Sequence, residues 1–223
     1  MIRLANVSHD YGGRGLLSAV DLHIAPGSFY FLTGPSGAGK STLLKLCYGD
    51  LQPRSGEITL FGQDTATLSR DALADTRRRI GVIHQDCQFL DHLTLAENVA
   101  LPFVATGRDV PTKDLSELLS WVGLEHQADS LPPTLSGGER QRAALARAVI
   151  MSPEVVLADE PTGNVDWEMS QRLLSLLVEL NRMGTAVMIA THDLNLIRTA
   201  KSQVTSRTLR IADHTLQSAG SEL

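Results

Sequence analysis

A glycine-rich segment, GPSGAGKS at residues 34–41, follows the apolar stretch at 29–32 and precedes a helix-prone stretch at 42–46. Its glycines let backbone N–H groups converge on an anion, and the N-terminus of the next helix adds positive potential. In this pattern the lysine reaches the β- and γ-phosphates of a nucleotide and the serine hydroxyl ligates Mg²⁺. An ordinary strand-to-helix turn requires neither side chain, so the segment predicts a phosphate-binding loop. The residues expected at the phosphates are Gly34, Pro35, Ser36, Gly37, Ala38, Gly39, Lys40, Ser41 and Thr42, with Ser41 also on the metal.

Two adjacent carboxylates, Asp159 and Glu160, follow four apolar residues at 155–158. Ligands of parallel α/β sheets bind at the carboxyl edge of the strands. We therefore expect Asp159 to hold Mg²⁺, directly or through water, and Glu160 to orient and polarise the attacking water. Acidic residues also end strands as helix caps, so this interpretation depends on the phosphate-binding loop upstream.

A third motif, LSGGE at residues 135–139, opens a long amphipathic segment. Ser136 and Glu139 have the spacing of a capping box, which satisfies free amides at a helix start. Gly137 and Gly138 would each cost that helix about 1 kcal/mol relative to alanine, and such a cost favours close approach of a ligand. A capped helix N-terminus with bare glycine amides predicts a second anion site, for which a γ-phosphate is the obvious occupant.

The elements that must position these groups alternate between strand and helix. Residues 85–151 are dominated by helical spacing, whereas both flanking regions contain short apolar strands. This alternation predicts an α/β fold with a parallel, helix-flanked sheet. Strands are expected at residues 2–7, 19–24, 29–33, 57–61, 80–83, 155–158 and 186–190. Helices are expected at residues 73–79, 94–105, 111–122, 136–151 and 167–182.

Composition limits the function further. The 223 residues suit one α/β domain, the formal net charge is -5, and no apolar run is long enough to span a bilayer. The acidic balance disfavours a surface that binds nucleic acid. Cys47 and Cys87 have no metal-ligand spacing, and the segment from Met1 lacks the pattern of a secretory signal. We expect free thiols and a cytoplasmic location.

These motifs, together with ATHD at residues 190–193, resemble in their order the nucleotide-binding subunits of ATP-binding cassette (ABC) transporters, over nearly the whole chain. The resemblance implies a P-loop NTPase (RecA-like) core with an N-terminal antiparallel β subdomain and an inserted α-helical subdomain. One domain, 1–223, would comprise a catalytic core at about 1–85 and 152–223 and a helical subdomain at about 86–151. In the family, the phosphate-binding loop of one subunit and the LSGG segment of its neighbour enclose one ATP. An ATP-dependent, head-to-tail homodimer with ATP and Mg²⁺ as its cofactors is therefore implied.

Four more residues take their expected roles from the resemblance. Tyr11 matches the aromatic residue that stacks on adenine, although a surface hairpin tyrosine is an open alternative. Gln85 matches the glutamine that contacts Mg²⁺ and the attacking water and that senses the membrane partner. His192 matches the histidine at the γ-phosphate, which holds the water of Glu160 in place. Asp166 matches the loop that crosses the dimer interface.

Within the family, the motifs are most similar to the branch that contains cell-division, lipoprotein-release and macrolide-efflux ATPases. The cell-division type implies an integral membrane partner, contact with the division machinery and a place on the inner face of the plasma membrane. Dimer closure would move the partner and regulate cell-wall hydrolysis at the septum. The surface around residues 85–102 should receive the cytoplasmic helix of the partner.

Three alternatives remain open from the sequence. A lipoprotein-release or macrolide-efflux exporter would use the same chemistry on a different partner. A soluble cassette acting on DNA or ribosomes is disfavoured by the acidic balance and by the lack of a coiled-coil insertion. A small-molecule kinase would leave LSGGE unexplained. Val165, His84 and the pair Asp213-His214 depart from the family pattern, and the last pair predicts an altered final hairpin.

Overall fold

The computed structural model describes residues 1–163 and 165–218, in which it contains ten strands and seven α-helices. The strands are β1 (Ile2–Tyr11), β2 (Arg14–Ile24), β3 (Phe29–Thr33), β4 (Ser55–Leu60), β5 (Gln63–Asp64), β6 (Ile80–Ile83), β7 (Val155–Asp159), β8 (Ala186–Ala190), β9 (Arg207–Ala212) and β10 (Thr215–Ser218). The helices are α1 (Lys40–Cys47), α2 (Arg70–Arg77), α3 (Leu95–Thr106), α4 (Thr112–Trp121), α5 (Gly137–Val149), α6 (Trp167–Arg182) and α7 (Leu194–Lys201). Every predicted strand and helix is confirmed.

The main sheet has the order β10-β9-β3-β8-β7-β6, and all its neighbours are parallel except β10 and β9. The predicted parallel sheet is therefore confirmed. Strands β3 and β8 are buried along their whole length, as expected when both faces of a sheet are covered. Asp159 at the end of β7 pairs with Ala190 at the end of β8. This register brings the predicted catalytic segments to one edge of the sheet.

A second, antiparallel sheet has the order β2-β1-β4-β5. Strands β1 and β2 form a hairpin, and its turn residues Gly12 and Gly13 have φ of 61° and 85°. Two consecutive residues with positive φ are the requirement of a tight hairpin turn, which glycine meets without strain. The apolar face of this sheet packs on α1, where Cys47 is fully buried. The hairpin tip thereby stands beside the phosphate-binding loop.

Helices α3, α4 and α5 pack around a small apolar core of their own. Helix α3 begins with a capping box of Thr94 and Glu97, and it ends at Gly107 in the left-handed conformation. Trp121 Nε1 at the end of α4 donates to Glu179 Oε2 on α6 at 3.0 Å. This bond ties the helical region to the helices that flank the main sheet.

Among the helices within the described residues, none combines the length and the apolar character needed to cross a bilayer.

Candidate active site

A cleft of about 770 Å³ lies at the carboxyl edge of the main sheet. It is bordered by the phosphate-binding loop, the start of α1, the ends of β7 and β8 and the tip of the β1–β2 hairpin. Its described lining is Tyr11, Leu16, Gly34, Pro35, Ser36, Gly37, Gly39, Lys40, Ser41, Thr42, Gln85, Asp159, Glu160, Gly163 and His192. The cleft therefore brings together most of the residues that were predicted to contact the nucleotide bound by the same chain.

Two glycines of the phosphate-binding loop are required by both backbone and space. Gly34 has φ of 150°, and a Cβ there would lie 2.9 Å from the carbonyl oxygen of Ile211. Gly39, at the N-cap of α1, has φ of 105°, and its Cβ would lie 3.1 Å from Leu16 Cγ. Neither position admits a larger residue without strain. The loop therefore keeps its backbone amides close to the cleft.

Lys40 is the first residue of α1, and its side chain is only 11% exposed. Its Nζ donates to the carbonyl oxygen of Gly34 at 3.0 Å and lies 3.8 Å from Glu160 Oε1. The ammonium thus lies against the backbone of the phosphate-binding loop. Such a compact charge with three donors is suited to bridge loop carbonyls and phosphate oxygens.

Glu160 follows β7 directly and has φ of 46°, a left-handed conformation that is rare outside glycine. Its backbone N–H donates to the carbonyl oxygen of Ala190 at 2.9 Å, which holds the strained residue on the adjacent strand. Its Oε1 lies 3.0 Å from His192 Nδ1. Strain of this kind is tolerated where the surrounding structure fixes a side chain for chemistry.

Asp159 carries an unusual carboxylate oxygen. Its Oδ1 is buried and has no hydrogen-bond partner within residues 1–163 and 165–218. A buried polar atom without a partner costs free energy, which a bound cation would recover. Ser41 and Gln85 line the same cleft, and carboxylate, hydroxyl and amide oxygens are the ligands that Mg²⁺ prefers. These three residues therefore fit a magnesium ion.

Tyr11 stands at the tip of the hairpin with 54% of its surface exposed. Its ring meets His9 edge-on, with 5.1 Å between the centroids. The hairpin is held by an ion pair between Asp10 and Arg54, and this pair lowers the pKa of Asp10. Tyr11 is thus a hairpin tyrosine that also lines the cleft, so its ring could stack on an adenine base.

The LSGGE motif forms the predicted capping box. Ser136 Oγ donates to Glu139 Oε2 at 2.7 Å and accepts from the Glu139 backbone N–H at 3.3 Å. The Ser136 hydroxyl and, after it, the Ser136 backbone N–H both donate to the Glu139 carboxylate and lower its pKa. Gly137 and Gly138 form the first turn of α5. None of Ser136, Gly137 and Gly138 borders the described part of the cleft, so one chain does not bring the two anion sites together.

Asp166 also lies away from the cleft. It is the N-cap of α6, where its Oδ1 accepts from the backbone N–H of Met169 at 2.8 Å. The preceding Asn164 lies outside the described residues. Ala38 does not line the cleft either, although it belongs to the loop and its N–H donates to the carbonyl oxygen of Pro35 at 3.2 Å.

Two lining residues, Leu16 and Gly163, were missed by the sequence analysis. Leu16 lies in β2 and packs over Gly39, so its place depends on a contact between distant segments. Gly163 donates its N–H to the carbonyl oxygen of Glu160 at 3.1 Å and closes the turn after β7. Its position three residues after Glu160 in the sequence was the signal that could have identified it.

A comparison with protein families matches residues 17–163 to the ABC transporter family. Among curated proteins, the cell division ATP-binding protein FtsE of Escherichia coli K12 is 48% identical over 201 residues, 88% of this chain and 90% of the relative. FtsE of Haemophilus influenzae is 45% identical, over 89% and 93% of the two chains. FtsE of Bacillus subtilis is 41% identical, over 92% and 91%.

The fold is also similar to solved structures. A dimeric post-hydrolysis state of the ATP-binding cassette MJ0796 bound to ADP and Pi superposes with a TM-score of 0.87 at 33% identity, over 98% of both chains. A second dimeric structure of MJ0796, described as a bacterial ABC transporter cassette, gives 0.86 at 33% identity, over 97% of both chains. The P-loop NTPase core, the antiparallel β sheet and the inserted helices predicted from the sequence are therefore confirmed.

Proposed function

This chain belongs to the ABC transporter family of ATP-hydrolysing cassettes, and we propose that it is the ATPase subunit of an FtsE–FtsX type cell-division complex. The observation that carries the proposal is its extensive identity to FtsE proteins from three bacteria. The cassette motifs also lie in the order that is typical of the family. The division of the chain into a core at 1–85 and 152–223 and a helical lobe at 86–151 is part of the same proposal.

The reaction is hydrolysis of ATP at the bond between its β- and γ-phosphates. Lys40 and the loop amides hold the phosphates, and Tyr11 stacks on the base. Glu160 orients and polarises the attacking water, and His192 supports the carboxylate and contacts the γ-phosphate. The buried position of Lys40 and Glu160 strengthens these electrostatic contacts, because water screens them poorly there.

Magnesium belongs to this proposal as the resident cation. Ser41, Asp159 and Gln85 would hold it. When bound, it neutralises charge on the β- and γ-phosphates. The unpartnered Asp159 Oδ1 supports this assignment independently of the motif.

A head-to-tail homodimer completes the site. The segment Ser136 to Gly138 of one copy would close over the phosphates in the cleft of the other, and Asp166 would lie at the contact between copies. These residues are outside the described lining of their own cleft, which supports the arrangement, as do the dimeric MJ0796 structures. ATP then stabilises the closed dimer, because its contacts are complete only in that state. Hydrolysis removes the bridging phosphate and reopens the dimer.

The membrane partner is an integral protein of the FtsX type, so the cassette would be cytoplasmic and peripheral on the inner face of the membrane. Closure and reopening of the dimer would move this partner, which regulates cell-wall hydrolysis at the septum together with the division machinery. No direct contact with nucleic acid is part of the proposal. A lipoprotein-release or macrolide-efflux complex is the second candidate, because the same motifs serve that branch.

Purification of the Glu160→Gln variant from membranes with ATP tests the proposal, since this change should preserve ATP binding and block turnover. Recovery of an FtsX-type protein with the trapped dimer is the expected result. Recovery of a lipoprotein or drug exporter would favour the second candidate. Recovery of ribosomes or DNA, with no membrane protein, would overturn both.

A further inference from the structure

The turn between the last two strands holds two consecutive non-glycine residues in the left-handed conformation. Asp213 has φ of 48° and His214 has φ of 64°. They join Ala212 at the end of β9 to Thr215 at the start of β10, so they form a two-residue hairpin loop. Two positive φ values are those of a type I′ turn, which favours asparagine and glycine. A histidine is strained in this conformation, and such strain directs attention to what its side chain does.

Two hydrogen bonds join His214 to strand β2. Its ring atom Nδ1 lies 3.2 Å from the backbone carbonyl oxygen of Leu16. Because a carbonyl oxygen only accepts, Nδ1 is the donor of this bond. The carbonyl oxygen of His214 in turn accepts from the backbone N–H of Ser18 at 2.8 Å. The final hairpin is therefore bonded to β2 at Leu16 and again two residues later.

Leu16 has no partner in the described pairing of β1 with β2. In that pairing Asp10 lies opposite Gly15, and His9 lies opposite Leu17. Two consecutive residues of β1 thus face three of β2, so Leu16 is the extra residue of a β-bulge. A bulge leaves its extra residue out of the ladder and changes the direction of the side chain. A contact from outside this sheet is therefore needed to fix the position of Leu16.

The place of Leu16 in the cleft indicates which part of a nucleotide it would contact. Tyr11, proposed to stack on the base, immediately precedes the turn of the β1–β2 hairpin, and Leu16 is the third residue after that turn. On its other side Leu16 packs over the phosphate-binding loop, where a Cβ on Gly39 would lie 3.1 Å from Leu16 Cγ. Both Tyr11 and Leu16 line the cleft. Leu16 thus lies between the sites for the base and the phosphates, where a nucleotide bound to both has its ribose.

We propose that His214 is a positioning residue for nucleotide binding, because its bond to the Leu16 carbonyl oxygen holds the Leu16 side chain against the ribose. The inference rests on the proposed function, since it takes the cleft to be the ATP site. His214 does not contact the nucleotide and acts only through Leu16. Its loss weakens the contact with the nucleoside. The hold on the phosphates is unaffected, because it depends on Lys40 and the loop amides.

The test compares the binding of ADP and of inorganic pyrophosphate, each with Mg²⁺, to the full chain by titration calorimetry. The two ligands share their phosphates and differ by adenosine. His214→Gly removes the donor and relieves the strain of the turn, whereas His214→Asn tolerates positive φ and places an amide N–H at the position of Nδ1. Asp213→Gly is the matched control, because it relieves strain at the other turn residue and keeps the bond from His214. Thermal unfolding of each variant checks that it folds.

His214→Gly should weaken ADP binding about three- to tenfold, the range expected for one lost hydrogen bond, and leave pyrophosphate binding unchanged. It should unfold at the same temperature as wild type or higher, because glycine suits the turn. Its KM for ATP should rise while kcat stays the same. His214→Asn should bind ADP within about twofold of wild type, since the donor is kept. Asp213→Gly should bind both ligands as wild type does.

Wild-type affinity of His214→Gly for ADP would overturn the inference. Equal weakening of ADP and pyrophosphate would also overturn it, because the effect would then lie at the phosphate-binding loop. A His214→Asn variant that binds ADP as poorly as His214→Gly would exclude the Nδ1 donor as the cause. Failure of the wild-type chain to bind ADP would instead overturn the proposed nucleotide site, so the two failures are distinguishable.

Discussion

His192 Nδ1 lies 3.0 Å from Glu160 Oε1, the same oxygen that lies 3.8 Å from Lys40 Nζ. Because an ionised carboxylate only accepts, Nδ1 carries the proton of this hydrogen bond. Because a phosphate oxygen also only accepts, a hydrogen bond from Nε2 to the γ-phosphate requires a second proton on this ring. The three side chains come from the end of β7, the end of β8 and the start of α1, so the pairing of Ala190 with Asp159 on one side and with Leu32 of β3 on the other sets their geometry.

The contact between His192 and Glu160 predicts strongly non-additive mutations. Glu160→Gln should lower kcat by about 10²–10⁴ and retain ATP binding, because a positioned general base is lost. His192→Ala should lower kcat by a similar factor, since the carboxylate loses its orienting donor. The double variant should be little worse than Glu160→Gln alone. Single-turnover hydrolysis and ATP binding measured on all four proteins check this, and multiplicative losses would show that the two side chains act independently.

The phosphate-binding loop predicts different costs for alanine at two glycines. Gly34→Ala places a methyl group 2.9 Å from the Ile211 carbonyl oxygen, whereas Gly37→Ala has open space and only an unfavourable φ of 77°. Gly34→Ala should therefore lower the free energy of unfolding by about 1–3 kcal/mol more than Gly37→Ala. Denaturant unfolding without nucleotide is the measurement. Equal losses would mean that the final strands do not brace the loop.

Elements with strong local signals were predictable to within a few residues. Strand β3 and helix α6 have the predicted bounds, because apolar runs and helical spacing suffice there. Helix α2 begins at Arg70, before the predicted start at residue 73, because Ser69 caps it by accepting from the Ala72 N–H.

The elements that the sequence analysis missed have weak signals in the sequence. Helix α7 is short, and its register is set by the Asp193 cap, which accepts from two backbone amides. Strand β9, RTLRIA at residues 207–212, lacks a strict polar–apolar alternation, and pairing with β3 makes it a strand. The site residues on loops and strand ends were predictable because each belongs to a short, contiguous sequence motif. Their assembly around Glu160 required the register of the sheet, and Leu16 joined them only through packing.

The LSGGE capping box predicts a pH-dependent contribution to stability. The hydroxyl and amide of Ser136 lower the folded-state pKa of Glu139 below its ordinary value of 4.5. This contribution is therefore present above the unfolded-state pKa and is lost as pH falls through the lower folded-state pKa. Glu139→Gln keeps a capping side chain but not the charge. Its free energy of unfolding should fall below that of wild type at neutral pH and converge with it in acid.

The measurement is urea unfolding between about pH 3 and pH 7, the range in which carboxylates titrate. Glu97→Gln is a matched variant, because Glu97 forms the same box with Thr94 on α3 and its pKa is lowered for the same reason. Both differences should shrink together on acidification. A difference that grows in acid would contradict the assigned sign.

A mixture of two inactive variants tests whether two copies share each site. Lys40→Ala damages the phosphate-binding loop, and Gly138→Asp places a carboxylate where the γ-phosphate of the neighbouring copy would lie. A Cβ at Gly138 meets only Met169 side-chain atoms, at 3.5 Å or more, so this variant should fold. Gly138→Ala is its control and should keep much of the activity. Thermal unfolding of each protein confirms its structure before mixing.

In a head-to-tail dimer of the two variants, one site combines both lesions and the other combines two intact halves. Random assortment makes about half of the dimers mixed, so turnover should return to about one quarter of the wild-type value, if the two sites act independently. Each variant alone should retain very little ATPase activity. A mixture that remains inactive, although the two proteins associate, would contradict two independent sites that are each shared between copies. The position of Ser136 to Gly138 outside the described lining of their own cleft supports such shared sites.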